Sequence, residues 1–98
     1  MLISVVVPTH NRHLLLKEAV ASLRSQTYAK WELIVVDDGS EPWVVLDERG
    51  PPESHRIHVV RNHAPLGPSG ARNAGIEVAS GDLVTFLDDD DLLAGNAL

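Results

Sequence analysis

Four short runs rich in Val and Ile constrain this chain more than any other feature, at residues 2–7, 32–36, 56–60 and 82–87. They are nearly continuous in apolar residues, as strands covered on both faces are, and their β-branching favours strand over helix. Between the first two, Leu16, Ala19, Val20 and Leu23 fall at helical spacing and form one apolar stripe, with Lys17, Glu18, Arg24 and Ser25 on the other side. Asn11 is placed to cap that helix, and Pro8 keeps it from starting earlier. A second helix is predicted over 69–80, capped by Ser69, apolar through Ala71, Ala74 and Val78, and ended by Gly81. Residues 40–54 allow two readings, a short helix or an edge element around Trp43 to Leu46, before Gly50-Pro51-Pro52 forces a loop. The order is strand, helix, strand, irregular segment, strand, helix, strand. Such alternation implies an α/β fold with parallel strands and right-handed crossovers.

A chain of 98 residues with 44% hydrophobic content supports one small domain with a real core. Its net charge of −6 argues against a nucleic-acid partner, which needs basic surface. The absence of cysteine removes disulfides, thiolate zinc sites and cysteine nucleophiles. The apolar run at 3–7 is too short for a membrane helix and lacks the flanks of a signal peptide. A cytoplasmic location is therefore expected, with membrane association left to any longer parent. No internal repeat is present.

In parallel sheets, ligands gather at the carboxyl ends of the strands. Here those ends carry Pro8-Thr9-His10-Asn11-Arg12, Asp37-Asp38-Gly39-Ser40, Gly67-Pro68-Ser69-Gly70-Ala71-Arg72-Asn73 and Asp88-Asp89-Asp90-Asp91. A carboxylate at the second end can accept from a base N–H or a ribose hydroxyl. The plain alternative is an Asp-Gly turn with Ser40 capping the segment after it. The glycine-rich stretch is neither a P-loop nor a dinucleotide fingerprint. It does set small residues and Arg72 at a helix start, where free amides favour anions; alternatively Gly70 and Ala71 only allow close packing. Two carboxylates spaced D-x-D can hold a hard divalent cation and leave positions for phosphate oxygens. The pairs are Asp88 with Asp90 and Asp89 with Asp91, and the bland reading is a solvated acidic turn. Of the five histidines, none forms an H-x-x-x-H pair, and His10 alone adjoins a strand end. Trp31 and Trp43 read as packing residues.

Taken together, Ser4 to Arg12, Trp31 to Ser40, Gly70-Ala71-Arg72-Asn73-Ala74-Gly75 and Phe86-Leu87-Asp88-Asp89-Asp90-Asp91 resemble family 2 glycosyltransferases of the GT-A fold. The resemblance covers nearly the whole chain and is weakest at 41–55. It implies a parallel Rossmann-like sheet, the nucleotide-sugar-binding half of such an enzyme. It implies that Thr9 and its neighbours Pro8, Asn11 and Arg12, with Asp38 or alternatively Asp37, hold the nucleoside. Gly70 and Arg72 would meet the base or diphosphate, and Asp89 would also line the donor site. Asp88 and Asp90 would frame Mn²⁺ or Mg²⁺, with Asp90 the direct ligand. The donor implied is a nucleotide-diphosphate sugar, a UDP-sugar first, and transfer to an acceptor hydroxyl would invert the anomeric centre.

The family's general base comes from a segment well after the D-x-D element, whereas residues 92–98 read as the start of a further helix. The expectation is thus a truncated, N-terminal donor-binding portion over 1–98, with the base beyond Leu98, the acceptor half absent and full activity lacking. A non-catalytic nucleotide-binding or assembly module is the alternative. A receiver-like domain is disfavoured, since Val60-Arg61-Asn62-His63 supplies no aspartate after the third strand. Sheet surface left open by truncation predicts a homo-oligomer.

Overall fold

The computed structural model describes residues 1–28, 30–44, 55–62 and 66–89. It contains β1 (Ile3–Thr9), α1 (His13–Arg24), β2 (Trp31–Asp38), β3 (His55–Asn62), α2 (Gly67–Val78) and β4 (Leu83–Phe86). The four strands form one sheet in the order β3-β2-β1-β4, and every pairing is parallel. The expected α/β fold with a parallel Rossmann-like sheet is what the chain adopts.

The two-residue period of the strands distributes the core between the faces of this sheet. Val5, Val7, Leu33, Val35 and Ile57 pack against Leu16, Ala19, Val20 and Leu23 of α1. Val6, Ile34 and Val36 face the other way, onto Ala71 of α2, with Val60 and Ala74 beside them. The α2 side is built for close approach. A Cβ on Gly75 would come within 2.3 Å of a Val6 methyl, so the helix axis lies as near to β1 as glycine permits.

The strands run further than the apolar pattern suggests, carrying Thr9, Asp37, Asp38 and Asn62 into the sheet. The helix ends also differ from expectation. Arg12, not Asn11, precedes α1, and Asn11 adopts a left-handed backbone (φ 53°) with its side chain turned to the 40–41 loop. Helix α2 starts two residues before Ser69, with Pro68 in its first turn, and ends at Val78 before Gly81 is reached. Val78 is exposed, because the buried face of α2 runs through Ala71 and Gly75 instead. Finally, β4 is an exposed edge strand and not a doubly covered one: α2 lies against β1, β2 and β3. Residues 45–54 and the helix expected over 92–98 fall outside the described residues.

At the amino end of β2, Glu32 is 2% exposed yet fully served by donors. Ser4 Oγ donates to Oε2 at 2.5 Å, the Ser80 amide at 2.7 Å, and Ser80 Oγ reaches both oxygens at 2.9 and 3.0 Å. The Gly81 amide completes the cluster by donating to Ser4 Oγ at 2.8 Å. His58 Nε2 stands 3.9 Å from Oε1. The carboxylate therefore ties the turn between α2 and β4 to β1 and β2. Burial pushes its pKa up, but Ser4, Ser80 and His58 outweigh burial and hold it below the ordinary glutamate value.

A lowered folded-state pKa contributes stability that is present above the unfolded value and is lost as pH falls through the folded one. Glu32→Gln is expected to lower unfolding free energy at pH 7 by about 1–3 kcal/mol, with the gap to wild type shrinking below roughly pH 4.5. Urea denaturation across pH 3–7 reads both; a gap that stays constant with pH contradicts this role for the charge.

Candidate functional site

The chain runs outward from β1 to β2 to β3 and then returns to place β4 on the other side of β1. This reversal opens a crevice at the carboxyl ends of β1 and β4, the place where parallel sheets bind ligands. A cavity of about 500 Å³ lies there. Pro8, Thr9, His10 and Arg12 line it from the end of β1, and Asp38 from β2. Gly67, Pro68, Ala71 and Arg72 line it from α2, and Asp88 and Asp89 from the segment after β4.

Two of its carboxylates are buried: Asp38 and Asp89 are each 6% exposed. Asp38 is held from three sides. Asn62 Nδ2 donates to Oδ1 at 3.0 Å, the Leu66 amide to Oδ1 at 2.9 Å and the Gly67 amide to Oδ2 at 3.1 Å. This explains how α2 begins without a capping side chain of its own: its first amides are met by a charge from β2, which also suits the helix dipole. Burial pushes the Asp38 carboxyl up, yet the Leu66 amide, Asn62, the Gly67 amide and nearby His10 outweigh it and hold it below the usual aspartate value. At neutral pH Asp38 is thus a pure acceptor. His10 Nδ1 lies 2.6 Å from the Asp38 carbonyl oxygen. A carbonyl only accepts, so that nitrogen is assigned the proton.

Across the crevice, Asp89 joins the two strand ends. Thr9 Oγ1 donates to Oδ2 at 2.8 Å, and Arg12 Nη1 stands 3.3 Å from Oδ1. Asp88 is open by contrast, with a side chain 61% exposed and 3.8 Å from Arg72 Nη2. Each of these two carboxylates is thus paired with a guanidinium group at the cavity, an arrangement suited to a ligand carrying both hydroxyls and phosphates.

Of the residues singled out from the sequence, Pro8, Thr9, Arg12, Asp38, Arg72, Asp88 and Asp89 converge on this cavity. Asp37, Asn11 and Gly70 are not among its walls. Asp37 is fully buried and accepts from the Ser40 amide at 3.0 Å and the Val44 amide at 2.8 Å, so it shapes the loop after β2. Asn11 Oδ1 accepts from the Glu41 amide at 2.8 Å. Gly70 sits in the first turns of α2, where a Cβ would meet Leu66 Cβ at 2.6 Å. Asp90 and Asp91 lie outside the described residues. Among the described residues no group of three acids or histidines could enclose a metal ion. Asn62 escapes sequence reasoning, because only the parallel register reveals that it stands beside Asp38.

The chain is similar to known proteins in sequence and in fold. Residues 4–98 match the sequence model of the family described as Glycosyl transferase family 2. The chain is 39% identical over 98 residues to a GalNAc(5)-diNAcBac-PP-undecaprenol beta-1,3-glucosyltransferase of Campylobacter jejuni, covering 98% of this chain and 32% of that protein. It is 36% identical over 100 residues to the UDP-Glc:alpha-D-GlcNAc-diphosphoundecaprenol beta-1,3-glucosyltransferase WfgD of Escherichia coli, covering 99% of this chain and 38% of that protein. The chain thus spans about a third of the length of these relatives. Among solved structures, S. aureus TarS 1-349 in complex with UDP superposes with a TM-score of 0.79 at 29% identity, over 98% of this chain and 29% of that one. Mannosyltransferase PcManGT from Pyrobaculum calidifontis, in complex with GDP-Man and Mn²⁺, gives 0.75 at 26% identity, over 92% of this chain and 28% of that one. No described helix is long and apolar enough to cross a membrane.

Removing the Asp38 carboxylate releases the amides of Leu66 and Gly67 and the Asn62 amide together. Asp38→Ala is expected to lower unfolding free energy by about 1–3 kcal/mol in urea denaturation; an unchanged midpoint contradicts the capping role.

Proposed function

Because this chain belongs to glycosyl transferase family 2, we propose that its cavity binds the nucleotide-diphosphate sugar donor of a glycosyl transfer, a UDP-sugar first. The observation that carries the reading is the crevice between β1 and β4, where a buried acceptor, Asp38, shares one cavity with Arg12, Arg72 and the exposed carboxylate of Asp88. The neighbours that hold UDP or GDP-Man support a nucleotide as the ligand.

In this reading Asp38 accepts from the base or ribose, and Thr9 with Pro8 forms the floor beneath the nucleoside. Arg72 turns from Asp88 to the diphosphate, while Arg12 stays with Asp89 and offsets its charge. The acceptor oxygen attacks the anomeric carbon from the face opposite the diphosphate, whose bond to that carbon breaks with inversion. A base takes the acceptor proton; it and the acceptor site are assigned to no residue of this chain.

The reading includes a hard divalent ion such as Mn²⁺ or Mg²⁺, which Asp88 and Asp90 would hold. Asp88 presents an exposed carboxylate on the cavity wall, and D-x-D spacing pairs it with Asp90, whereas both oxygens of Asp89 are already engaged. When bound, such an ion neutralises charge on the diphosphate leaving group. The expected homo-oligomer remains part of this proposal, with β4, the edge of the sheet among the described residues, as the surface a second copy would use. A single monomeric species in sedimentation at working concentration contradicts that part.

Calorimetric titration with UDP and GDP, each with and without Mn²⁺ or Mg²⁺, tests the donor reading. Metal-dependent binding of UDP is expected, weakened roughly tenfold or more by Asp88→Ala and by Asp90→Ala. Absence of nucleotide binding under every condition overturns the proposal and moves the non-catalytic assembly reading ahead.

A further inference from the structure

The parallel register sets Asn62, at the end of β3, directly beside Asp38 at the end of β2. The Asp38 carboxylate is then unequally shared. Oδ1 accepts twice, from Asn62 Nδ2 at 3.0 Å and from the Leu66 amide at 2.9 Å. Oδ2 accepts from the Gly67 amide at 3.1 Å. Gly67 lines the cavity, whereas Asn62 and Leu66 are not among its walls. Oδ1 is thus held by two residues outside the cavity wall, and Oδ2 by one residue that lines it. A carboxylate offers about four lone-pair sites over two oxygens. Among the described residues two donors fill Oδ1, and Oδ2 keeps one open site.

We propose that Asn62 is a positioning residue that sets base preference, by occupying Oδ1 and leaving Asp38 a single acceptor site, on Oδ2, for a ligand N–H. This inference rests on the nucleotide reading of the cavity and refines it. A uracil ring, with one N–H, matches one open acceptor. Guanine presents a ring N–H and an amino N–H side by side and needs two acceptor sites, one of which Asn62 already fills. Cytosine presents a ring acceptor to an acceptor and is repelled. Burial magnifies each mismatch, because a polar group left unpaired in such a site loses its water as well.

Without Asn62, Oδ1 regains an open site while the Leu66 and Gly67 amides still hold the carboxylate in place. The expected result is a shift in preference and not a uniform loss. The UDP-to-GDP affinity ratio of wild type should favour UDP, and Asn62→Ala should reduce that ratio about tenfold. Asn62→Leu, close to asparagine in size and without a donor, should reduce it likewise. Calorimetry with UDP, GDP and CDP, alongside thermal unfolding of each variant, separates the outcomes. Equal weakening of UDP and GDP makes Asn62 a structural residue and overturns the inference while the nucleotide reading stands. A wild type that prefers GDP does the same. A wild type that binds none of the three overturns both.

Discussion

One carboxylate holds the working end of this molecule together. Asp38 lies at the end of a buried strand and accepts from Asn62 of β3 and from two amides at the start of α2. It thereby joins the end of β2 to the end of β3 and the start of α2. Without it, the Leu66 and Gly67 amides and the Asn62 side chain would lose their shared acceptor, and α2 would lose its cap. The side chain that organises the site also faces the cavity, so scaffold and recognition meet in one residue.

A second buried carboxylate performs the matching task at the other end of the same strand. Glu32 gathers Ser4, Ser80 and, through Ser4, the Gly81 amide, which fixes the turn leading into β4. The position of β4 decides where Asp88 and Asp89 stand relative to Thr9 and Arg12. Strand β2 thus acts as a strut with an acceptor at each end, and α2 spans the distance between them. Gly75 and Ala71 let that helix lie close to Val6 and Val36, where a larger residue would lift it from the sheet.

The sequence revealed the fold because the strands are buried where they matter. Residues such as Val5, Val6, Leu33 and Ile34 leave no other arrangement for their length, and the order of elements then implies parallel pairing. The site was legible to the extent that ligand-binding groups collect at strand ends: Thr9, Asp38, Arg72 and Asp88 do converge. What could not be read was which of two neighbours points where. Asp37 and Asp38 are adjacent in sequence, but strand alternation sends one to the 40–44 loop and the other to the cavity. Asn11 looks like a cap and instead takes a left-handed turn to hold Glu41. The exposure of β4 was hidden too, because its apolar composition is that of a covered strand while its place is at the edge.

The donor-binding reading requires a nucleotide lying in the crevice between β1 and β4, above Asp38. Backbone amide shifts recorded by NMR during addition of UDP and Mg²⁺ test this most directly. Thr9, His10, Gly67 and Arg72 are expected to move together and saturably, while Ser4, Glu32 and Ser80 at the far end stay still. Shifts centred on the Glu32 end, or spread evenly over the sheet, would contradict that placement.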